Sequence, residues 1–169
     1  IMNTSYTEFE EARKLERPTL NDSKDFINVD MNSHGVTTAN REHTVLKTTG
    51  LANCVAVVLY EPTKKIAGLF HVTIPLDVAS LGIPLWQSVQ EDIVALFLAM
   101  QRNGMVFEDR SNIRASLIGG QDSEELPSLI PVAQERLRQL GVSNIIIIEE
   151  SGQDKKGNPK SIAIDAKDG

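Results

Sequence analysis

The residues of this sequence best suited to chemistry are its only cysteine, Cys54, and a histidine 17 positions further on, His71. A thiol becomes a strong nucleophile when a neighbouring imidazolium favours its ionisation, and the same imidazole can later pass a proton to a leaving amine. Such a pair also needs a third group that holds the imidazole ring in position. The two residue types therefore indicate covalent catalysis by a cysteine, provided that the fold brings them together.

The segment between the two residues predicts a β-hairpin whose register decides whether they meet. Two apolar runs, residues 54–60 and 66–74, flank a polar turn that contains Pro62. A two-residue loop places Cys54 directly opposite His71, with Cβ atoms about 4.5–5.5 Å apart. A four-residue loop places them on a diagonal of the same face, whereas an odd-length loop without a bulge places them on opposite faces. The sequence alone leaves the loop length open.

The residues before Cys54 supply candidates for the remaining roles. Thr48 ends the preceding apolar segment, where its hydroxyl or its carbonyl group can hold the ring of His71. A tight turn follows, and its backbone N–H groups, together with that of Cys54, are candidates for stabilising an oxyanion. The residues that we assign to this oxyanion and substrate loop are Gly50, Ala52 and Asn53.

An ordinary structural role is the alternative for each of these residues. Free cysteines are among the most buried residue types and behave mostly as small hydrophobes. A lone buried histidine is more often a hydrogen-bonded core group than a catalyst. The other two histidines, His34 and His43, lie in polar segments and are expected at the surface. Because no histidine or carboxylate cluster has the spacing of a metal site, we expect no bound metal.

The strands that must position these residues follow a polar N-terminal extension. Residues 1–26 are weakly patterned, so we expect a single domain over residues 27–169. Within it, short apolar runs alternate with Gly, Asn and Thr clusters, which is typical of strands. The expected strands are 27–31, 44–48, 54–60, 66–74, 113–118, 144–149 and 161–165. The four consecutive isoleucines of the 144–149 segment predict a strand that is covered on both faces.

Two amphipathic helices are expected between the strands. The first has an apolar stripe with the 3.6-residue period, a capping box formed by Ser88 and Glu91, and a stop at Gly104. The second begins near Pro131 and stops at Gly141. Since the two central strands are apolar on both faces, the fold class that we predict is α+β, with layered mixed β-sheets forming a β-sandwich flanked by helices.

Composition excludes several classes of function. The chain has 17 Lys and Arg against 23 Asp and Glu, a formal net charge of −6, so a nucleic-acid partner is not expected. No apolar stretch reaches the roughly 18–20 residues needed to span a bilayer, and the N-terminal residues lack a signal pattern. One cysteine excludes an internal disulfide. We therefore expect a cytoplasmic protein without membrane insertion.

The most specific motif is the T-x-G-L-x-x-C run from Thr48 to Cys54, followed by an apolar strand and His71. This run resembles the chemoreceptor glutamine deamidase family, CheD, and the resemblance extends over residues 27–165. Weaker similarities lie in residues 32–36, 70–75, 113–120 and 150–165. In that family the matching threonine, cysteine and histidine form the catalytic triad.

The resemblance implies a hydrolase that converts protein glutamine side chains to glutamate and releases ammonia. It implies Cys54 as the nucleophile, His71 as the acid and base, and Thr48 as the residue that orients His71, with no metal or organic cofactor. The implied partners are the cytoplasmic helices of chemoreceptors, which are methyl-accepting chemotaxis proteins, and a CheC-type phosphatase.

The sequence departs from the family pattern directly before the cysteine. Ala52 and Asn53 stand where the family usually has Gly-Ser. If that glycine position needs a positive φ, an alanine is strained there by roughly 1–2 kcal/mol. Two alternatives therefore stay open. One is a deamidase that acts on a different protein target, and the other is a non-catalytic adaptor of the same fold that binds a chemotaxis partner.

Overall fold

The computed structural model describes residues 25–51, 54–73, 85–120, 128–148 and 160–169. Within these ranges the strands are β1 (Phe26–Asn28), β2 (His34–Thr38), β3 (Val45–Thr48), β4 (Val55–Glu61), β5 (Ile66–Val72), β6 (Arg114–Gly119), β7 (Asn144–Ile148) and β8 (Ile162–Asp165). The helices are α1 (Leu85–Arg102) and α2 (Ile130–Gln139), and a short 3-10 helix (Phe107–Asn112) precedes β6.

The described strands form two sheets that lie one on the other. One sheet has the order β2-β5-β4-β6-β7 and the other has the order β1-β3-β8. Each sheet is mixed, because β6 pairs with β7, and β1 with β3, in parallel. One apolar cluster lies between the five-stranded sheet and the two helices, and a second joins the two sheets. The predicted α+β architecture of layered mixed sheets flanked by helices is confirmed.

The central hairpin of β4 and β5 is covered on both faces. All seven residues of each strand are buried. Alternate residues such as Val57 and Phe70 face the helices, whereas Ala56 and Leu69 face the second sheet. This double coverage is the reason that both strands are apolar throughout rather than at every second position.

The helix ends agree with the prediction at their C-termini and differ at one N-terminus. Gly104 and Gly141 take positive φ values of 108° and 90°, where a glycine ends a helix without strain. Pro131 lies in the first turn of α2, as expected. However, α1 includes Leu85, so Ser88 is its fourth residue and the predicted capping box is wrong. The apolar stripe was correct, but a Ser-x-x-Glu pattern occurs inside a helix as well as at its start.

Three other differences have simple physical reasons. Strand β2 has the sequence HGVTT, which lacks an apolar run, so the apolar pattern predicts no strand there and only the family resemblance of residues 32–36 points to one. Strand β1 includes Phe26, which we had assigned to the extension, whereas residues 1–24 lie outside the described part of the chain. The isoleucine strand β7 lies at the edge of its sheet, and Ile145, Ile146 and Ile147 are therefore only half-buried although clusters cover both faces.

The register of the central hairpin is set by a loop of four residues. Glu61 pairs with Ile66, and the ladder continues to Ala56 opposite His71. The buried Glu61 carboxylate accepts the backbone N–H groups of Thr63 at 2.9 Å and Lys64 at 2.8 Å. A left-handed residue, Lys65 with φ 54°, closes the loop. The two-residue alternative is wrong and the four-residue alternative is correct.

We predict that Glu61→Ala lowers the free energy of unfolding by about 1.5–3 kcal/mol, because two backbone donors lose a charged acceptor. Glu61→Gln is the matched control, and we expect a smaller loss because its amide oxygen still accepts one N–H group. Urea denaturation followed by circular dichroism measures both. Equal unfolding midpoints for Glu61→Ala and wild type would show that the carboxylate does not fix the loop.

Candidate active site

The candidate residues lie where the ends of several strands meet between the two sheets. Thr48 is the last residue of β3, in the three-stranded sheet, and His71 is the penultimate residue of β5, in the five-stranded sheet. Cys54 directly precedes β4. The exposed fraction of both Thr48 and His71 is 0%, so any contact between them crosses the interior of the sandwich.

A hydrogen bond joins the two buried polar side chains. Thr48 Oγ1 lies 2.7 Å from His71 Nδ1 and also 2.7 Å from the carbonyl oxygen of Val29. The Val29 carbonyl can only accept, and the Thr48 hydroxyl has a single proton to donate. The hydroxyl therefore donates to Val29, and its oxygen accepts the N–H of His71 Nδ1. This assignment leaves Nε2 of His71 without a proton in the neutral ring.

The second ring nitrogen of His71, Nε2, is buried and carries no proton in the neutral ring. Among the residues that the structure describes, Nε2 has no hydrogen-bond partner. A buried polar atom without a partner is costly and usually has a reason in function or in an unseen ligand. Burial lowers the pKa of His71, because the charged imidazolium would lose its hydration. His71 is therefore a neutral imidazole with a free lone pair.

Cys54 shares a face of the hairpin with His71. Because Ala56 is paired with His71, Cys54, two positions before Ala56 and directly before β4, lies on the diagonal and on the same face. It is half-buried and packs against the cluster between the sheets. Since Nε2 has no partner in the described part of the chain, the thiol is not hydrogen-bonded to it. The structure thus brings Thr48 and His71 into contact and leaves Cys54 beside them.

Burial favours the neutral forms of Cys54 and His71. It raises the pKa of the Cys54 thiol and lowers the pKa of His71, because each charged form would lose its hydration. Both shifts act against a thiolate–imidazolium pair and favour a neutral thiol beside a neutral imidazole.

The backbone of Cys54 is held by two neighbours that the prediction of site residues did not include. Its N–H donates to the carbonyl of Leu51 and its carbonyl accepts the N–H of Gly120 at 3.2 Å. A Cβ atom on Gly119 would lie 2.3 Å from that carbonyl oxygen, so only glycine fits there. The Cys54 N–H is consequently engaged by Leu51 and is not a free oxyanion donor in this state. The glycine pair at the end of an apolar strand is the sequence signal for this close approach.

The other predicted residues are placed as follows. Gly50 has φ 76°, and a Cβ added to it would find no atom of the described residues, apart from its chain neighbours, within 4 Å. Ala52 and Asn53 lie outside the described residues, so the oxyanion loop stays a prediction. His34 is exposed and stacks on Phe70, and His43 is half-exposed. Within the described ranges, no group of three His, Cys, Asp or Glu residues is arranged to hold a metal ion.

Solved structures identify the class of fold. A hypothetical protein YfiH of Bacillus licheniformis superposes with a TM-score of 0.56 and 15% identity, over 89% of this chain and 76% of that one. A protein of Neisseria meningitidis gives a TM-score of 0.54 and 12% identity, over 94% and 82% of the two chains. At these identities the likeness concerns the fold alone. The protein is an α+β sandwich of this class.

Sequence relatives then identify the family. No family model matches the chain. A probable chemoreceptor glutamine deamidase, CheD 1 of Methanosarcina acetivorans, is 31% identical over 116 residues, covering 64% of this chain and 69% of that protein. The chemoreceptor glutamine deamidase CheD of Halalkalibacterium halodurans is 32% identical over 46% of this chain and 47% of its own. A probable CheD of Archaeoglobus fulgidus is 36% identical over 45% and 46%. The chain belongs to the CheD family.

The matches leave part of these relatives uncovered. The chain spans about half the length of the Halalkalibacterium halodurans and Archaeoglobus fulgidus proteins.

Among the described residues, no helix is long and apolar enough to cross a membrane.

We predict that neutral His71 carries its proton on Nδ1, and that burial lowers its pKa below the ordinary value of about 6.5. Nitrogen chemical shifts of the imidazole, followed by NMR through a pH titration, measure both properties. Thr48→Val removes the oxygen that accepts the Nδ1 proton and should abolish the tautomer bias, whereas Thr48→Ser should preserve it. A wild-type ring protonated on Nε2 would contradict the assignment.

Proposed function

We propose that the protein is a cysteine-dependent protein-glutamine deamidase that acts on the cytoplasmic helices of chemoreceptors. The observation that carries the proposal is the unpartnered, buried Nε2 of His71, with its tautomer held by Thr48, beside the single cysteine of the chain. The names of the curated relatives, chemoreceptor glutamine deamidases, supply the substrate class.

The first half of the proposed reaction forms a thioester. As the Cys54 sulfur attacks the carbon of the glutamine carboxamide, its proton passes to His71 Nε2 and the carbonyl oxygen becomes an oxyanion. The C–N bond then breaks, and the imidazolium returns the proton to the leaving nitrogen, which departs as ammonia. Throughout these steps, Thr48 keeps the hydrogen bond from Nδ1 and so holds the ring in one orientation.

The second half restores the enzyme. His71 Nε2 takes a proton from a water molecule, whose oxygen attacks the thioester carbon. The C–S bond breaks, the sulfur recovers the proton from His71, and glutamate is released. The net reaction consumes one water and yields one ammonia for each glutamine, and it uses no group beyond the side chains of the chain and the substrate.

The neutral starting state suits this sequence of proton transfers. A general base works best when it is unprotonated and its partner still holds the proton to be moved. The pKa shifts from burial favour that condition for both Cys54 and His71, which supports the proposal. The thiol and Nε2 are not hydrogen-bonded in the free protein. This is compatible with the proposal, because hydrogen bonds between catalytic groups are often long in a free enzyme and shorten when substrate binds.

We predict that the wild-type protein converts specific glutamines of a chemoreceptor cytoplasmic fragment to glutamate, seen as an amide-to-acid mass gain in peptide mass spectrometry. Cys54→Ala and His71→Gln should lower the rate by roughly a thousandfold or more, because each removes a group that forms or breaks bonds. Thr48→Val should lower it by up to about a hundredfold, because it only misorients the ring.

His34→Gln is the control for loss of a histidine. Its side chain faces away from His71, because His34 pairs with the preceding residue, Phe70, on the neighbouring strand. We expect the wild-type rate in this variant. Full activity in Cys54→Ala would overturn the mechanism. No mass gain with wild-type protein on chemoreceptor fragments would instead favour a different protein target or a non-catalytic adaptor.

We predict that the alkylation rate of Cys54 by iodoacetamide reaches half its maximum at a pH above about 8.5, the value for an ordinary cysteine. The reason is that only the thiolate reacts and burial raises the pKa at which it forms. A short cysteine peptide, alkylated in the same tube, gives the reference curve. A midpoint below that of the peptide would show a thiolate–imidazolium pair and would remove the neutral starting state.

A further inference from the structure

We propose that Asn32 is a positioning residue that sets the place of His71 in the active site. Its backbone N–H donates to the carbonyl oxygen of His71 at 2.8 Å. Its side-chain Oδ1 accepts the backbone N–H of Thr73 at 3.2 Å and also the hydroxyl of Thr73. Asn32 therefore holds the chain at His71 itself and again two residues further on. The activity part of this inference rests on the proposed function, but its structural part does not.

The short connector between β1 and β2 contains Asn32 and contacts both members of the buried pair. At one end of this connector, the carbonyl of Val29 accepts the hydroxyl of Thr48. At the other end, the carbonyl of Ser33 accepts the backbone N–H of His71 at 3.2 Å. Because Thr48 and His71 belong to different sheets, this connector fixes the separation of the two groups whose hydrogen bond defines the tautomer.

The conformation of Asn32 explains why an asparagine fits this position. Its φ of 57° lies in the left-handed region, which asparagine enters more readily than most side chains. In that conformation its N–H points to His71 while the amide oxygen reaches Thr73. Glycine would also accept this φ but would lack the oxygen, whereas aspartate would keep both features.

Thr73, which is hydrogen-bonded to Asn32, lies near Cys54 in the register of the hairpin. The β4–β5 ladder ends with Val55 opposite Val72, so one further pair would bring Cys54 opposite Thr73. Asn32 thus holds the part of the chain that follows β5 beside the nucleophile as well as beside His71. Since Asn32 is exposed, its hydrogen bonds contribute little to global stability, and the expected consequence of losing them is local displacement of the ring.

The experiment compares Asn32→Gly, Asn32→Asp and Thr73→Val with the full wild-type chain. The first readout is the pair of imidazole nitrogen shifts of His71 through a pH titration, which requires no substrate. The second is kcat and KM for deamidation of a chemoreceptor fragment. Thermal unfolding of each variant shows that the measurements are made on folded protein.

We expect Asn32→Gly to lower kcat by about tenfold to a hundredfold at unchanged KM, because small misplacement of a catalytic group has costs of this size. Its His71 shifts should lose the Nδ1–H bias, and its titration should move up toward that of an ordinary histidine as water reaches the ring. Asn32→Asp should keep both properties within about threefold of wild type. Thr73→Val should change kcat and the His71 shifts in the same direction as Asn32→Gly, but by less.

Two results would overturn the proposal. One is an Asn32→Gly protein with wild-type His71 shifts and titration. The other is an Asn32→Asp protein that is as impaired as Asn32→Gly, because it would exclude the acceptor oxygen as the cause. If the wild-type chain deamidates no glutamine, the proposed function fails but the inference about Asn32 does not. The imidazole nitrogen shifts still show whether Asn32 positions the ring of His71, because they need no substrate.

Discussion

The hydroxyl group of Thr48 has a single proton, and the chemistry available at this site depends on where that proton goes. With two partners at 2.7 Å, one of which can only accept, the hydroxyl must donate to Val29 and receive the proton of His71 Nδ1. The orientation of the imidazole, its tautomer and the free lone pair of Nε2 all follow from this one choice. Removal of the Val29 carbonyl from the network would let the hydroxyl donate to the ring and reverse the tautomer.

The pair stays in place because two sheets and a fixed register enclose it. A buried polar group costs free energy unless it is hydrogen-bonded, and at 0% exposure the Thr48 hydroxyl and His71 Nδ1 are hydrogen-bonded to each other, whereas Nε2 keeps that cost. A shift of one residue between β4 and β5 would turn His71 to the helix face of the sheet, away from Thr48. The Glu61 carboxylate, 10 residues from His71 in sequence, therefore contributes to the site by holding the four-residue loop that excludes this shift.

The layered arrangement of sheets and helices could be predicted from the sequence, because apolar runs and helical periodicity indicate which faces of each element are buried. The sequence also allowed prediction of the face shared by Cys54 and His71, but only as one of several registers. The register actually formed depends on the Glu61 carboxylate and on the left-handed conformation of Lys65, and an apolar pattern reveals neither of them. The contacts of Val29 and Asn32 could not be predicted, because they are made largely by backbone atoms that every residue possesses. Burial raises the pKa of Cys54 and lowers that of His71, and both shifts act against a thiolate–imidazolium pair, an effect that residue spacing does not reveal.

For the proposed reaction, a neutral site would determine where the free energy of catalysis comes from. Two uncharged groups are cheaper to bury than an ion pair, so the resting protein needs no compensating charges around Cys54 and His71. Charge separation then occurs only when the sulfur attacks, and the new oxyanion requires preorganised donors at that moment. The N–H of Cys54 does not supply one while it donates to the carbonyl of Leu51. The proposed reaction therefore needs other N–H groups for the oxyanion, and Gly50, with a φ of 76°, is the residue of the predicted oxyanion loop that the structure describes.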